Sequence, residues 1–252
     1  MVKQTPLLFG IDFSLNHWAI CRVDYLTGSC LDYRYMTCTK KEYNQNAANA
    51  FLLEGQDKKN GEGKETYGER RRAFSVQILF KYIMDILNGL EKAPEDVYVS
   101  IEGYAYAAST RGLCQIAEAT GLLKTMLYNQ GIKLRIHDPL SVKLYASGGG
   151  ACLKKTIVLA AKDLGFHISE SLLKVKRKKI KGLEVEEYDG VGTDLADSFF
   201  LARILRTELM LRDGIASLEN LKECERKIFL RVTKAFPENI LSRDFIQKEQ
   251  QC

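Results

Sequence analysis

Leu7-Leu8-Phe9-Gly10-Ile11-Asp12 decides the fold. The run is apolar at consecutive positions, so it reads as a short strand buried on both faces. It ends in a carboxylate. Asn16 to Asp24 and Leu31 to Thr37 read as two further strands, and Tyr25-Leu26-Thr27-Gly28-Ser29 supplies the turn between them. That pattern predicts an antiparallel hairpin. Leu31, Tyr33 and Tyr35 alternate with polar neighbours, so the third strand is expected to have one wet face.

Beyond this hairpin the period changes. Ala47 to Leu53 reads as a short helix, and the Gly-, Lys-, Glu- and Asp-rich segment Glu54 to Gly68 as a mobile loop. From about Glu69, Phe74, Ile78, Tyr82, Ile86 and Leu90 form one helical stripe, widened by Leu79, Ile83 and Leu87 and closed by Pro94. Val97 to Glu102 is the next strand, again ending in a carboxylate. A helix is predicted over Thr110 to Gln130 with Gly131 as its C-cap, then a strand over Lys133 to His137 stopped by Asp138-Pro139. A short helix from Ser141 and the break Ser147-Gly148-Gly149-Gly150 precede helical spacing over Leu153 to Leu164. Phe166 to Gly192 has no clear period. Asp194 to Leu211 is a strong helix stopped by Asp213-Gly214, Leu218 to Ala235 another, and Pro237 to Cys252 reads as a frayed tail. The order predicts an α/β fold, a mixed sheet with an N-terminal antiparallel hairpin and helices on both faces.

With 252 residues the chain suits one large domain or a domain with extensions. A net charge of +5 permits nucleic-acid binding without establishing it. The charge is uneven: Lys174-Val175-Lys176-Arg177-Lys178-Lys179-Ile180-Lys181 is a dense basic run, followed by Glu184, Glu186 and Glu187. The seven cysteines are odd in number, form no CxxC pair and fit no structural zinc spacing, so free thiols in a reducing, cytoplasmic setting are expected. Met1 to Pro6 leads straight into a strand without a secretory signal, and no apolar run has the length to cross a bilayer, so no membrane partner is expected.

Four acids carry the chemistry. Asp12 and Glu102 end apolar strands, and Asp194 and Asp197 open the stretch Ser198-Phe199-Phe200-Leu201-Ala202. Such carboxylates are costly to desolvate unless something neutralises them, and hard oxygen ligands suit magnesium. Four carboxylates around two metal ions provide what in-line attack on a phosphodiester needs. Each acid also has a plainer reading. Asp194 and Asp197, three apart on a helix, can be an N-cap and a first-turn charge. Asp12 and Glu102 can be strand-end turn residues.

Phe9-Gly10-Ile11-Asp12 opening a hairpin, Ser100-Ile101-Glu102 ending a later strand and Asp194-Leu195-Ala196-Asp197-Ser198 opening a late helix resemble, in this order, the RuvC family of Holliday-junction resolvases, within the RNase H-like superfamily. The resemblance spans about Leu7 to Leu205. Gly149-Gly150-Ala151-Cys152-Leu153-Lys154-Lys155 is similar to the family's Gly-rich turn, where a lysine starts a helix beside the site, and the helix after Glu102, with Gly121 inside it, to the one used in dimerisation. The resemblance implies an RNase H-like nuclease domain over about 1–212, with insertions at about 40–70 and 166–192, and a helical extension over 213–252. It implies an endonuclease that nicks four-way or other branched DNA as a homodimer. Asp12 would bridge two magnesium ions, Glu102 would hold one and Asp194 and Asp197 the other, with manganese as a substitute. Lys155 or Lys154 would offset charge on the pentavalent phosphate, Lys155 being taken as catalytic. Tyr104 or Tyr106 would stack at the branch point, and Arg111, Lys154, Lys155, Lys176 and Arg177 would contact DNA phosphates. Solvated helix faces and core packing are the plain alternatives for these lysines and tyrosines. The insertions and the tail depart from the family pattern and point to a divergent member of phage or viral origin.

Three other readings compete. A nuclease for RNA–DNA hybrids or flaps would carry the same acids. A sugar-kinase or actin-type ATPase also begins with a strand ending in Asp, and Asp189-Gly190-Val191-Gly192-Thr193-Asp194 resembles one of its phosphate loops. However, Phe13-Ser14-Leu15-Asn16 has no glycine to let backbone amides approach a phosphate. A binding module without catalysis is opposed by the presence of all four acids. His17, His137 and His167 show no metal-ligand spacing and read as structural or exposed, and Trp18 as core.

Overall fold

A computed structural model describes residues 5–14, 17–37, 50–52, 64–103, 110–150, 152–180, 183–234 and 236–248. The apolar run at the start forms β1 (Leu7–Phe13), buried at every position and central in a six-stranded sheet. On one side it pairs antiparallel with β2 (His17–Val23), which pairs antiparallel with β3 (Cys30–Thr37). On the other it pairs parallel with β5 (Val97–Glu102), followed by β6 (Lys133–His137), also parallel. A short β4 (Ala50–Leu52) lies parallel on the outer edge of β3, giving the order β4-β3-β2-β1-β5-β6. This is the expected mixed sheet with its N-terminal antiparallel hairpin.

Helices cover both faces because β1, β2 and β5 are apolar on both. One core packs Phe9, Ile11, Trp18, Ile20, Val99 and Ile101 against α1 (Lys64–Gly89) and α2 (Thr110–Asn129). The other packs Leu8, Ala19, Cys21 and Tyr35 against α5 (Val191–Arg212), with α3 (Pro139–Ser147), α4 (Lys154–Asp163) and α6 (Glu223–Leu230) behind it. The α5 backbone crosses β1 so closely that a Cβ on Gly10 would run into backbone atoms of Ser198 and Ala202. Overpacking of this kind cannot be relieved by a rotamer change. Gly10→Ala is therefore expected to cost about 3 kcal/mol or more, read as a lowered thermal midpoint, because α5 must lift from the sheet.

Several elements differ from the sequence reading. The stretch expected as a helix at Ala47 to Leu53 contributes strand β4 instead. Phe51 sits against the ring of Trp18 at 5.9 Å, and Ala50 to Leu52 continue the sheet beside Tyr35 to Thr37, so tertiary pairing outweighs helix propensity. α1 begins at Lys64, inside the segment expected to be a loop. The basic run is a strand: β7 (Lys174–Ile180) and β8 (Leu183–Asp189) form an antiparallel two-stranded ribbon. The helix expected over Leu218 to Ala235 is confined to a short 3-10 turn at Leu218–Asn220 and to α6.

The expected frayed tail is docked over its described residues. Ile246 bridges antiparallel to Leu134, covering the outer edge of β6. Arg135 and Glu208 form a buried bidentate pair (Nε to Oε2 3.0 Å, Nη2 to Oε1 2.5 Å). The same guanidinium donates to the carbonyls of Arg243 and Asp244, and Arg212 donates to Glu208 at 2.9 Å. A buried charge needs such partners, and the tail supplies two of them.

Candidate active site

Parallel neighbours β1 and β5 end together, so Asp12 and Glu102 emerge at the same end of the sheet, where α5 crosses. α5 starts earlier than the sequence implied. Its N-cap is Gly190, with φ of 91°, a backbone state that suits glycine, and the helix begins at Val191. Asp194 is therefore not an N-cap, and Asp197 lies a further turn in. Both face the sheet, 7% and 9% exposed, as Asp12 is at 7%, so three carboxylates are almost wholly removed from water.

Their electrostatics show that they share one site. Burial, then the charges of Glu102, Asp194 and Asp197, push the Asp12 carboxyl well above the usual range. Burial, then Glu102, does the same to Asp197. Glu102 is pushed up to about 7, first by burial, against a side-chain hydrogen bond with Asp12 that favours its charged form. Burial thus favours the protonated forms of both Asp12 and Glu102.

Among the lysines, the structure separates what the sequence left joined. Lys154, the first residue of α4, places Nζ 3.1 Å from Thr193 Oγ1 and 3.9 Å from Asp194 Oδ1. Burial opposes its charge, but Asp194, Asp197 and Asp12 together hold its ammonium above the ordinary range. Lys155, taken as the catalytic lysine, instead reaches away to Glu186 on β8, Nζ to Oε2 2.9 Å. One residue along a helix turns the side chain by about 100°, and here that turn separates the acid cluster from the hairpin.

Two contributors were not legible. His17 Nδ1 lies 2.5 Å from Asp194 Oδ2 and 2.9 Å from Ser14 Oγ, so this histidine, expected to be structural or exposed, orients one of the acids. Lys143 on α3 lowers both Glu102 and Asp197 by its charge. His17 sits at the start of β2, opposite Thr37 in β3. Lys143 had no signal in the sequence. His137 is buried and His167 exposed. Lys176 and Arg177 are exposed on β7, with Lys176 ion-paired to Asp189. Tyr104 and Tyr106 lie outside the described residues. Arg111 is in the first turn of α2, its side chain likewise outside them.

The donor chemistry fits a hard divalent cation: oxygen ligands only, close enough to raise one another's proton affinity. As placed, Asp194 is engaged with His17 and Lys154. Among the described residues no group of three or more His, Cys, Asp or Glu side chains forms a set that holds one ion. The expectation of carboxylates already encircling shared ions is corrected to that extent.

No protein-family model and no curated protein matches the chain. Solved structures do. The Thermus thermophilus RuvC structure aligns over 82% of this chain and 96% of that one, at 14% identity and a TM-score of 0.47. T. thermophilus RuvC in complex with a Holliday junction substrate aligns over 84% and 98%, at 15% identity and 0.48. The likeness is one of fold. No helix among the described residues is long and apolar enough to cross a membrane.

Proposed function

We propose that this chain is a magnesium-dependent endonuclease that nicks four-way or other branched DNA by phosphodiester hydrolysis. One observation carries the reading: Asp12, Glu102, Asp194 and Asp197, brought from two strands and a helix, crowd into one buried site with a lysine at its rim. Proteins rarely bury clustered carboxylates without a use for them. Asp12, Glu102, Asp194 and Asp197 would hold the divalent cations. Bound there, the cations would lower the pKa of the attacking water and stabilise the departing 3′ oxygen. His17 and Thr193 hold Asp194 in place for that role. The Lys154 ammonium, beside Asp194, would offset negative charge on the pentavalent phosphate. Exposed Lys176 and Arg177 would take backbone phosphates, making binding salt-dependent and largely blind to sequence. Paired symmetric nicks would come from a homodimer.

The test is cleavage of synthetic four-way, three-way and linear DNA and of an RNA–DNA hybrid, with magnesium or manganese. Nicking of the branched substrates is expected. Preferential cutting of the hybrid would reassign the substrate, and no cutting of any substrate with either metal would overturn the reading. Within that assay Lys154→Ala should lose about a hundredfold in single-turnover rate, the scale of one lost transition-state donor. Lys155→Ala should stay within a few-fold, and equal losses would contradict the separation of the two side chains.

A further inference from the structure

We propose that Glu187, on the basic hairpin, is the positioning residue that holds Lys154 at the carboxylates. The inference rests on the nuclease reading for its importance to rate, but its geometry stands independently. α4 begins at Lys154 without a cap of its own. Leu153 occupies the N-cap and offers no side-chain acceptor, and no acid lies in the first turn. Helix starts leave backbone N–H groups unsatisfied, and a carboxylate near them is stabilising. Glu187 fills this role from another element. It is 6% exposed, and its Oε1 accepts the backbone N–H of Lys155 at 3.1 Å. Its neighbour Glu186 accepts the Lys155 ammonium, so β8 grips the first turn of α4 twice.

The consequence falls on Lys154. As the first residue of the helix, its side-chain direction is fixed only while that turn is closed. If the first turn opened, Nζ would lose its place beside Thr193 and Asp194 before any other part of α4 moved. β8 then runs through Asp189 and Gly190 directly into α5, which carries Asp194 and Asp197. One strand therefore sets the separation between the lysine-bearing turn and the acid-bearing helix. β7 pairs with that strand, Lys176 opposite Glu187, and exposes Lys174, Lys176, Arg177 and Lys178. A nucleic acid seated on β7 would press on the same strand that fixes Lys154. This gives the hairpin a task beyond adding positive charge.

The test uses the full-length chain with Glu187→Ala, Glu187→Gln, Lys154→Ala and the double variant Glu187→Ala/Lys154→Ala. Single-turnover nicking of a saturating four-way junction should fall about tenfold in Glu187→Ala and recover largely in Glu187→Gln, whose amide oxygen still accepts the N–H. In the Lys154→Ala background the Glu187→Ala change should cost no further rate, although it lowers the thermal midpoint equally in both backgrounds. An equal loss of rate in both backgrounds, or a lowered midpoint with rate unchanged, would reduce Glu187 to a structural cap and overturn the proposal. A second readout needs no nuclease activity. Acylation of Lys154 by limiting acetic anhydride, followed by mass spectrometry, should speed up at least threefold in Glu187→Ala while Lys81 on α1 is unchanged. Accelerated labelling in a protein that cuts nothing would uphold the positioning role and sink the nuclease reading. Unchanged labelling in a protein that cuts would sink the positioning role alone.

Discussion

Asp12→Asn should reduce nicking at least about a thousandfold while leaving the cation-free protein as stable as the native chain, or more so. The loss of rate follows from its place. Asp12 feels the charges of Glu102, Asp194 and Asp197, and groups that act as a unit lose far more than their share when one is removed. The gain or neutrality in stability follows from charge. The native carboxyl is buried among three other acids, and an amide of the same shape carries no charge to desolvate. It can still donate to Glu102. The contrast matters because a variant that merely misfolds also stops cutting. Rate and thermal midpoint are to be measured on the same preparation. An Asp12→Asn protein that nicks as fast as the native chain removes the site from the assignment.

The parts of this molecule that were legible in sequence are those where chemistry coincides with a period. Apolar runs ending in Asp12 and Glu102 announced two adjacent buried strands, and both lie side by side at the sheet centre. The stripe from Phe74 to Leu87 announced α1, although its start at Lys64 was hidden in a polar stretch. What failed was decided by distant partners. Ala50 to Leu52 became a strand because Phe51 meets Trp18 and the edge of β3 was open. The β7–β8 ribbon is dominated by charge, cations on β7 and acids on β8, so its pairing had no apolar run to announce it. The start of α5 reads as a glycine-rich loop, Gly190-Val191-Gly192, yet Gly192 is close-packed against Leu172 and Leu173. Lys154 and Lys155 are adjacent in a helix, and only Glu186, more than thirty residues on, draws the second one away.

The cation-free protein should lose stability as pH rises from about 5 to about 8, and magnesium should abolish that loss. The folded state holds Asp12, Glu102 and Asp197 at raised proton affinity, so it binds more protons than the unfolded chain across this window. Where the native state binds more protons, stability falls as pH rises. The stabilisation is complete below the unfolded values, 3.8 for Asp and 4.5 for Glu, and it is lost as pH climbs through the folded ones, which for Glu102 means about 7. The Glu102 shift alone corresponds to about 3 kcal/mol. For a chain of this size that lowers the thermal midpoint by roughly 5–10 °C. Of the groups held low, Asp24 and Asp189 act in the opposite sense only near and below their unfolded value of 3.8, outside the window, whereas buried His137, lowered from 6.5 to about 3, offsets part of the loss up to about 6.5, so the fall is steepest above that pH. A divalent cation binds the deprotonated cluster and not the unfolded chain. At a hundred times its dissociation constant it returns about 2.7 kcal/mol, and most strongly at the high-pH end. Melting curves at several pH values, with EDTA or with magnesium, decide the matter. Asp197→Asn and Glu102→Gln should each flatten the EDTA curve and weaken the response to magnesium. A midpoint that climbs through this window in EDTA, or that magnesium leaves unmoved at pH 8, would mean that these acids are balanced within the protein itself and have no vacancy of charge for an ion to fill.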